Sequence, residues 1–247
     1  LSPHWVGDEA VMMAEKLKNV PIITGSDRFQ TGRYALENFE IDTLILDDGF
    51  QHLALRRDLD ILLCDHQRPL GNNHLFPAGE LREPASETQR ADMVCFTRYL
   101  GGPVKFSQKF LGSIPQIKTH LRLDSIINME NDDVCDAEAL KNQPVVAFCG
   151  IANPEGFRQI LEDSQVQLKV FKAFPDHHVY SLQDIKELES RALEEGGKLI
   201  LISEKDAVKL KDIKFSLPFY KVVIDLEILE GREIFNKKIT TTRRGDH

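Results

Sequence analysis

Residues Leu44–Leu46 form an apolar run that ends abruptly in Asp47-Asp48-Gly49 and continues as Phe50-Gln51-His52. A short apolar run closing on acids and a glycine is the pattern of a buried parallel strand. In open α/β sheets ligands lie beyond the carboxyl ends of such strands, so the side chains after the run face a crevice. Neighbouring carboxylates repel unless a cation or a shared proton relieves them. The pair therefore points to Mg²⁺ held near a phosphate, or to acid–base work. The structural alternative is a strand-to-turn Asp-Gly with a capping aspartate.

The same alternation extends in both directions. Ala10–Leu17 carries helix formers with apolar residues at helical spacing, and Pro21 opens a short strand over Ile22–Thr24. Gly32–Phe39 reads as a helix, Asp42–Asp47 as the strand just described, Leu59–Cys64 as a strand ending in Asp65, and Met93–Thr97 as the next. Residues 68–84 are rich in glycine, proline and charge and too long for a plain connector, which marks a functional loop. Lys118–Arg122 and Ser125–Met129 read as paired extended segments, followed by the exposed turn Asn131-Asp132-Asp133.

A second α/β unit follows. It has a strand over Val145–Cys149, a turn at Gly150, an Asn153-capped helix over Pro154–Ser164 and a strand over Leu168–Phe171. Then come a Ser181-capped helix over Leu182–Glu194, a strand over Lys198–Ile202, a helix opened by Glu204-Lys205-Asp206 and a strand over Tyr220–Ile224. The expectation is an α/β protein with a helix-covered parallel sheet. Its division is a first domain over 1–115, a linker over 116–143 and a second domain over 144–247.

With 247 residues and a net charge of −8, the chain is large enough for a real core and is not a nucleic-acid binder driven by phosphate neutralisation. Its four cysteines include no CxxC pair and read as reduced core residues, not as a metal or disulfide framework. No apolar run approaches the roughly 20 residues that span a bilayer, and no signal peptide is present, so the chain reads as soluble. It starts at Leu1 and enters Val6-Gly7-Asp8-Glu9 almost at once, which reads as a cut in a longer chain.

Several other groups carry chemistry. Asp176-His177-His178, just past a strand, suits proton transfer near neutral pH or metal ligation, with an exposed polar turn as the alternative. Asp8 and Glu9 open a helix, where acids favour the dipole, a role compatible with chemistry. Arg82-Glu83 reads either as a grip on an anionic or hydroxylated group or as a surface ion pair. Glu204-Lys205-Asp206 reads mainly as a helix-capping charge cluster, with a lysine aimed at the crevice as the alternative. The phosphate loop GxxxxGK[ST] has no match: Gly197-Lys198 is followed by Leu199, and Ala192 stands where the earlier glycine belongs. GxGxxG is also absent.

Taken in order, Val6-Gly7-Asp8-Glu9, Leu46-Asp47-Asp48-Gly49-Phe50-Gln51-His52, Arg57-Asp58-Leu59, Arg68-Pro69-Leu70-Gly71-Asn72, Pro77-Ala78-Gly79 and Leu81-Arg82-Glu83-Pro84 resemble the tetraacyldisaccharide 4′-kinase (lipid A 4′-kinase) family. The resemblance continues through Phe148-Cys149-Gly150-Ile151-Ala152-Asn153-Pro154, Phe174-Pro175-Asp176-His177-His178 and Glu204-Lys205-Asp206-Ala207-Val208. It implies a P-loop NTPase-like core joined by a β linker to a smaller α/β domain. The implied reaction transfers the γ-phosphate of ATP to the 4′-hydroxyl of a tetraacylated glucosamine disaccharide 1-phosphate. The product is lipid IVA, made at the cytoplasmic face of the bacterial inner membrane.

By the same resemblance, Asp8 is the base and His177 its partner, while Glu9, Asp47 and Asp48 act around Mg²⁺. Gln51 and His52 line the site, and Arg82 and Glu83 contact the lipid acceptor. The family's P-loop and membrane-associating segment precede the Gly7-Asp8-Glu9 motif, so the core expected here is incomplete and the isolated polypeptide has little kinase activity. Two rivals remain at this level. One is a metal-dependent phosphoesterase of the DHH type, whose namesake triplet Asp176-His177-His178 matches. The other is a non-catalytic glycolipid-binding module built on Arg82-Glu83.

Overall fold

The computed structural model describes residues 3–141, 143–211 and 213–244; Leu1, where the chain was read as cut, lies outside them. In chain order the elements begin with α1 (Pro3–Val6), α2 (Asp8–Lys16), α3 (Arg28–Asn38), β1 (Ile61–Asp65), β2 (Met93–Thr97), α4 (Gln108–Leu111), β3 (Gln116–Asn128) and β4 (Val134–Cys135). They continue with β5 (Pro144–Cys149), α5 (Pro154–Asp163), β6 (Gln167–Ala173), α6 (Leu182–Glu194), β7 (Ile200–Ser203), α7 (Glu204–Ala207), β8 (Phe219–Glu230) and α8 (Arg232–Arg244). The protein is α/β with a mostly parallel sheet.

By compactness the chain divides into Leu1–Thr24 with Arg122–Asp225, and Gly25–Leu121 with Leu226–His247. This is a different partition from 1–115, 116–143 and 144–247. The chain crosses between the units within two long strands, β3 and β8, and the first 24 residues belong with the later α/β unit. The stretch expected as two short extended segments is one continuous strand, β3, with β4 folded back antiparallel on it at Ile126↔Cys135.

In the unit that holds α2, strands β6, β5, β7 and β8 are parallel neighbours, registered by pairs such as Phe148↔Lys172, Phe148↔Ile202 and Ile202↔Lys221. Val145–Cys149 and Ile200–Ile202 are fully buried, as expected for parallel strands covered on both faces. Asn153 caps α5 through Gly156 N, and Ser181 caps α6 in a capping box with Asp184, both as the sequence predicts. In the other unit β1, β2 and β3 are parallel, registered at Leu63↔Cys95 and Cys95↔Ile117. Phe96, Phe106 and Leu111 form the apolar cluster on one side of that sheet.

Two expected strands do not form among the described residues. Ile22–Thr24 and Asp42–Asp47 carry no ladder hydrogen bonds, and Ile45 is 91% exposed. An apolar run supplies only the side-chain half of a strand; its backbone must also find a sheet edge to pair with. β1 pairs with β2, and residues 43–46 run extended without a strand partner. The helix expected at Gly32–Phe39 starts earlier, at Arg28, because the Asp27 carboxylate accepts from Gln30 N at 3.0 Å.

Residues 68–84 contain no helix or regular strand, yet backbone bonds order them. Phe76 N donates to Leu81 O at 2.8 Å and Leu81 N to His74 O at 3.1 Å. Gly79 is required there, since a Cβ would stand 2.3 Å from His74 O.

Candidate active site

Asp8 is the first residue of α2 and is only 6% exposed, an unusual position for a carboxylate unless it is paired. Three basic side chains surround it. His177 Nδ1 lies 3.1 and 3.2 Å from its two oxygens, Lys209 Nζ lies 3.2 Å from Oδ2, and Lys205 stands close enough to act through its charge. Burial alone would raise the carboxyl pKa. The hydrogen bond from Lys209 and the charges of Lys205, Lys209 and His177 outweigh burial and hold it below the usual range.

His177 sits in the turn after β6 with φ of 58°, a left-handed backbone that non-glycine residues seldom adopt. Its N–H donates to Gly150 O at 3.2 Å and to Asp176 Oδ1 at 3.0 Å, which fixes the turn. Gly150, just past β5, is closely approached by its neighbours. A Cβ there would lie 2.9 Å from the Tyr180 hydroxyl and 3.1 Å from Pro175 O. The His177 imidazole remains 61% exposed while touching a buried acid, so one face of the pair is open to a substrate.

The two adjacent histidines diverge. His177 turns to Asp8, whereas His178 stacks on Phe174 at 4.6 Å and meets Asp184 Oδ2 at 3.4 Å. They therefore do not present a joint ligand set. Glu9, exposed one residue after Asp8, receives Lys205 Nζ at 3.1 Å, and the same ammonium reaches Asp176 at 3.3 Å. The sequence leaves Lys205 either in a capping cluster or aimed at the crevice. Asp206 does serve the cap, bonded to Ser203, but Lys205 faces the site acids. Lys209 was missed altogether: it lies in the turn just past α7, and nothing in its sequence neighbours marks it.

In the other unit, Asp47-Asp48-Gly49 forms a turn, with Asp48 left-handed at φ of 51°. Arg82 Nη1 reaches Asp48 Oδ2 at 3.2 Å and Gln51 Oε1 at 3.3 Å, so three residues singled out from sequence converge. Glu83 is instead engaged by Arg90, whose guanidinium also covers the Phe50 ring at 4.4 Å and donates to Phe50 O at 3.3 Å. His52 is half-buried and lines a cavity of about 440 Å³ with Ser26, Asp27, Arg28 and Leu55. Asp47 and Asp48 are both exposed oxygen donors. Their chemistry fits Mg²⁺, which commonly takes one or two carboxylates and fills its shell with water and phosphate. Among the described residues no group of three or more His, Cys, Asp or Glu side chains is gathered as a ready-made metal cage.

Arg57 is the part of this turn that sequence reasoning did not assign. It bonds Asp60 at 2.5 and 3.1 Å and donates to the carbonyls of His52 at 2.5 Å and Leu55 at 3.0 Å. Arg57→Ala is expected to lower the stability of this unit by about 2 kcal/mol, because it strips charge-assisted bonds from a poorly exposed carboxylate. An unchanged urea midpoint would show that the turn does not depend on that guanidinium. The cysteines behave as core residues: Cys64, Cys95 and Cys149 are buried free thiols, and burial pushes that of Cys149 up to about 12.

The family described as tetraacyldisaccharide-1-P 4′-kinase (LpxK) matches residues 2–243 of this chain. The tetraacyldisaccharide 4′-kinase of Syntrophus aciditrophicus is 37% identical over 242 residues, covering 92% of this chain and 65% of that protein. That of Geobacter sulfurreducens is 37% identical over 231 residues, covering 93% and 64%. The chain thus spans a little under two thirds of the length of these relatives. A crystal structure of apo-form LpxK from Aquifex aeolicus in complex with ATP has a TM-score of 0.77 and 31% identity, covering 98% of this chain and 70% of that one. A match along almost the whole chain, with a shared fold and with Asp8 and His177 brought into contact, means that the chain belongs to the tetraacyldisaccharide 4′-kinase family.

Proposed function

We propose that the protein transfers the γ-phosphate of ATP to the 4′-hydroxyl of a tetraacylated glucosamine disaccharide 1-phosphate, giving lipid IVA. The observation that carries this reading is the buried, ionised Asp8 held against the exposed imidazole of His177, in a chain of this family. A sugar hydroxyl is a very weak acid, and phosphoryl transfer asks a protein mainly for alignment, charge neutralisation and a place for the proton. Asp8 is the proposed base. A carboxyl held below its usual pKa retains a proton poorly, so the imidazole in contact with both of its oxygens is the natural receiver.

Asp47 and Asp48 are the residues proposed to hold Mg²⁺, which when bound would neutralise the phosphate oxygens of ATP. Arg82, already placed on Asp48 and Gln51, is proposed to contact the acceptor together with Glu83, and His52 to line the same face. The domain reading retained here is functional: a nucleotide-handling part over 1–115, a linker over 116–143 and a second α/β part over 144–247. No helix among the described residues is long and apolar enough to cross a membrane. The four acyl chains of the acceptor nevertheless place the reaction at a membrane surface, proposed to be the cytoplasmic face of the bacterial inner membrane.

The test is transfer of label from γ-labelled ATP to a tetraacyldisaccharide 1-phosphate in detergent micelles. The complete gene product is compared with the 247-residue polypeptide. Since these 247 residues contain no GxxxxGK[ST], label is expected at the 4′-oxygen only with a polypeptide that also supplies a phosphate loop. Phosphate release that needs metal but neither ATP nor acceptor would replace the kinase reading with the phosphoesterase one.

A further inference from the structure

Lys209 and Asp206 lie outside the residues assigned above and form a buried polar chain that ends on Asp8. Asp206 has no exposed surface, and both of its oxygens are used. Oδ2 accepts from Gly150 N at 2.8 Å and from Ser203 Oγ at 2.5 Å, while Oδ1 accepts from Lys209 Nζ at 3.1 Å. A buried carboxylate is tolerated only when it is paired and bonded in this way. The Lys209 ammonium, its side chain 12% exposed, then spans to Asp8 Oδ2 at 3.2 Å. Its other neighbour is the Tyr180 ring, 5.8 Å away.

The path runs from a β-strand terminus to the proposed base. Gly150 lies just past β5, Ser203 closes β7, and Asp206 takes bonds from both. Gly150 O meanwhile accepts from His177 N, so the imidazole and the lysine are referred to the same residue. Within α2 itself, no side-chain hydrogen bond at the cap residue Gly7 closes the start of the helix. A carboxylate fixed by its own helix alone would be free to rotate at χ1.

We propose that Lys209, anchored by the buried Asp206, is a positioning residue that sets the Asp8 carboxylate against His177 Nδ1. The proposal deepens the kinase reading and rests on Asp8 and His177 as the proton-accepting pair. A flexible lysine tied at both ends by carboxylates has lost its usual freedom. That loss is offset only where the geometry it imposes is needed, and a small misplacement of a reacting group can cost about 100-fold in rate.

Two readouts test it, both on the complete gene product. In ¹⁵N-histidine NMR at a pH where the imidazole is neutral, the wild type is expected to show His177 mainly as the Nδ1–H tautomer that donates to Asp8. Lys209→Met is expected to shift it toward Nε2–H, and Lys209→Arg to retain the wild-type signal. In kinetics, Lys209→Met is expected to lower kcat by about 100-fold with KM for ATP and acceptor nearly unchanged, with partial rescue in Lys209→Arg. Asp206→Asn is expected to fall between the two in both readouts. An unchanged tautomer in Lys209→Met, or a loss confined to KM, overturns the proposal. A wild type that shows the Nδ1–H tautomer but transfers no phosphate instead overturns the kinase reading, while the tautomer shift still decides the role of Lys209.

Discussion

Asp8→Asn is expected to reduce kcat for 4′-phosphorylation by about 10²–10⁴-fold, the range that a positioned proton acceptor contributes. The substitution keeps the size of the side chain, removes its charge and basicity, and leaves one acceptor oxygen where the carboxylate has two. Asp8 is 6% exposed and its oxygens already engage His177 and Lys209, so its role is to take the hydroxyl proton through the open face of the pair and not to hold the substrate in the ground state. The loss should therefore appear in kcat, with KM for both substrates close to wild type. His177→Ala should fall in the same direction, and the double variant should lose little more than Asp8→Asn alone, since the two residues act as a unit. Steady-state kinetics on the complete gene product decide this. Turnover by Asp8→Asn within a factor of about two of wild type would remove Asp8 from the chemistry.

Much of this arrangement was legible in the sequence because it is local. The strands Met93–Thr97 and Val145–Cys149 are continuous apolar runs, and the caps Asn153 and Ser181 stand one residue before their helices. Asp8 and His177 were readable as chemical residues from type and neighbours, though only the fold could bring together residues 169 positions apart.

The failures share a physical cause. Asp42–Asp47 has the side-chain pattern of a buried strand, but pairing is a property of the neighbouring backbone, and Ile45 ends 91% exposed. Lys209 and Arg57 were passed over because a charged residue on a predicted helix or turn reads as solvent-facing. Whether it is buried and which carbonyl it reaches are set by tertiary contacts such as Arg57 to His52 O. The discontinuous compact units escaped for a related reason: a strand long enough to serve two units looks like a linker when only local periodicity is read.

Phe148→Ala should be the most damaging single core change, costing about 3–5 kcal/mol. Phe148 is wholly buried in β5, with edge-on contacts to Phe174 at 5.9 Å, Tyr180 at 5.2 Å and Phe219 at 6.0 Å. Truncation leaves a ring-sized void among other rigid rings, which cannot rotate to fill it, so the cost includes the cavity as well as the lost transfer energy. The urea midpoint of this unit should fall with its slope unchanged, because the surface exposed on unfolding is nearly the same. The position also bears on the site. Phe148 stands two residues before Gly150, whose N–H holds Asp206 and whose carbonyl holds the His177 turn. Below the lowered melting temperature those backbone bonds persist, since β5 is still paired with β6 and β7 at this residue. Turnover there is accordingly expected to stay near wild type while stability drops, the reverse of Asp8→Asn. A stability loss below about 1 kcal/mol would mean that the ring is not enclosed as described.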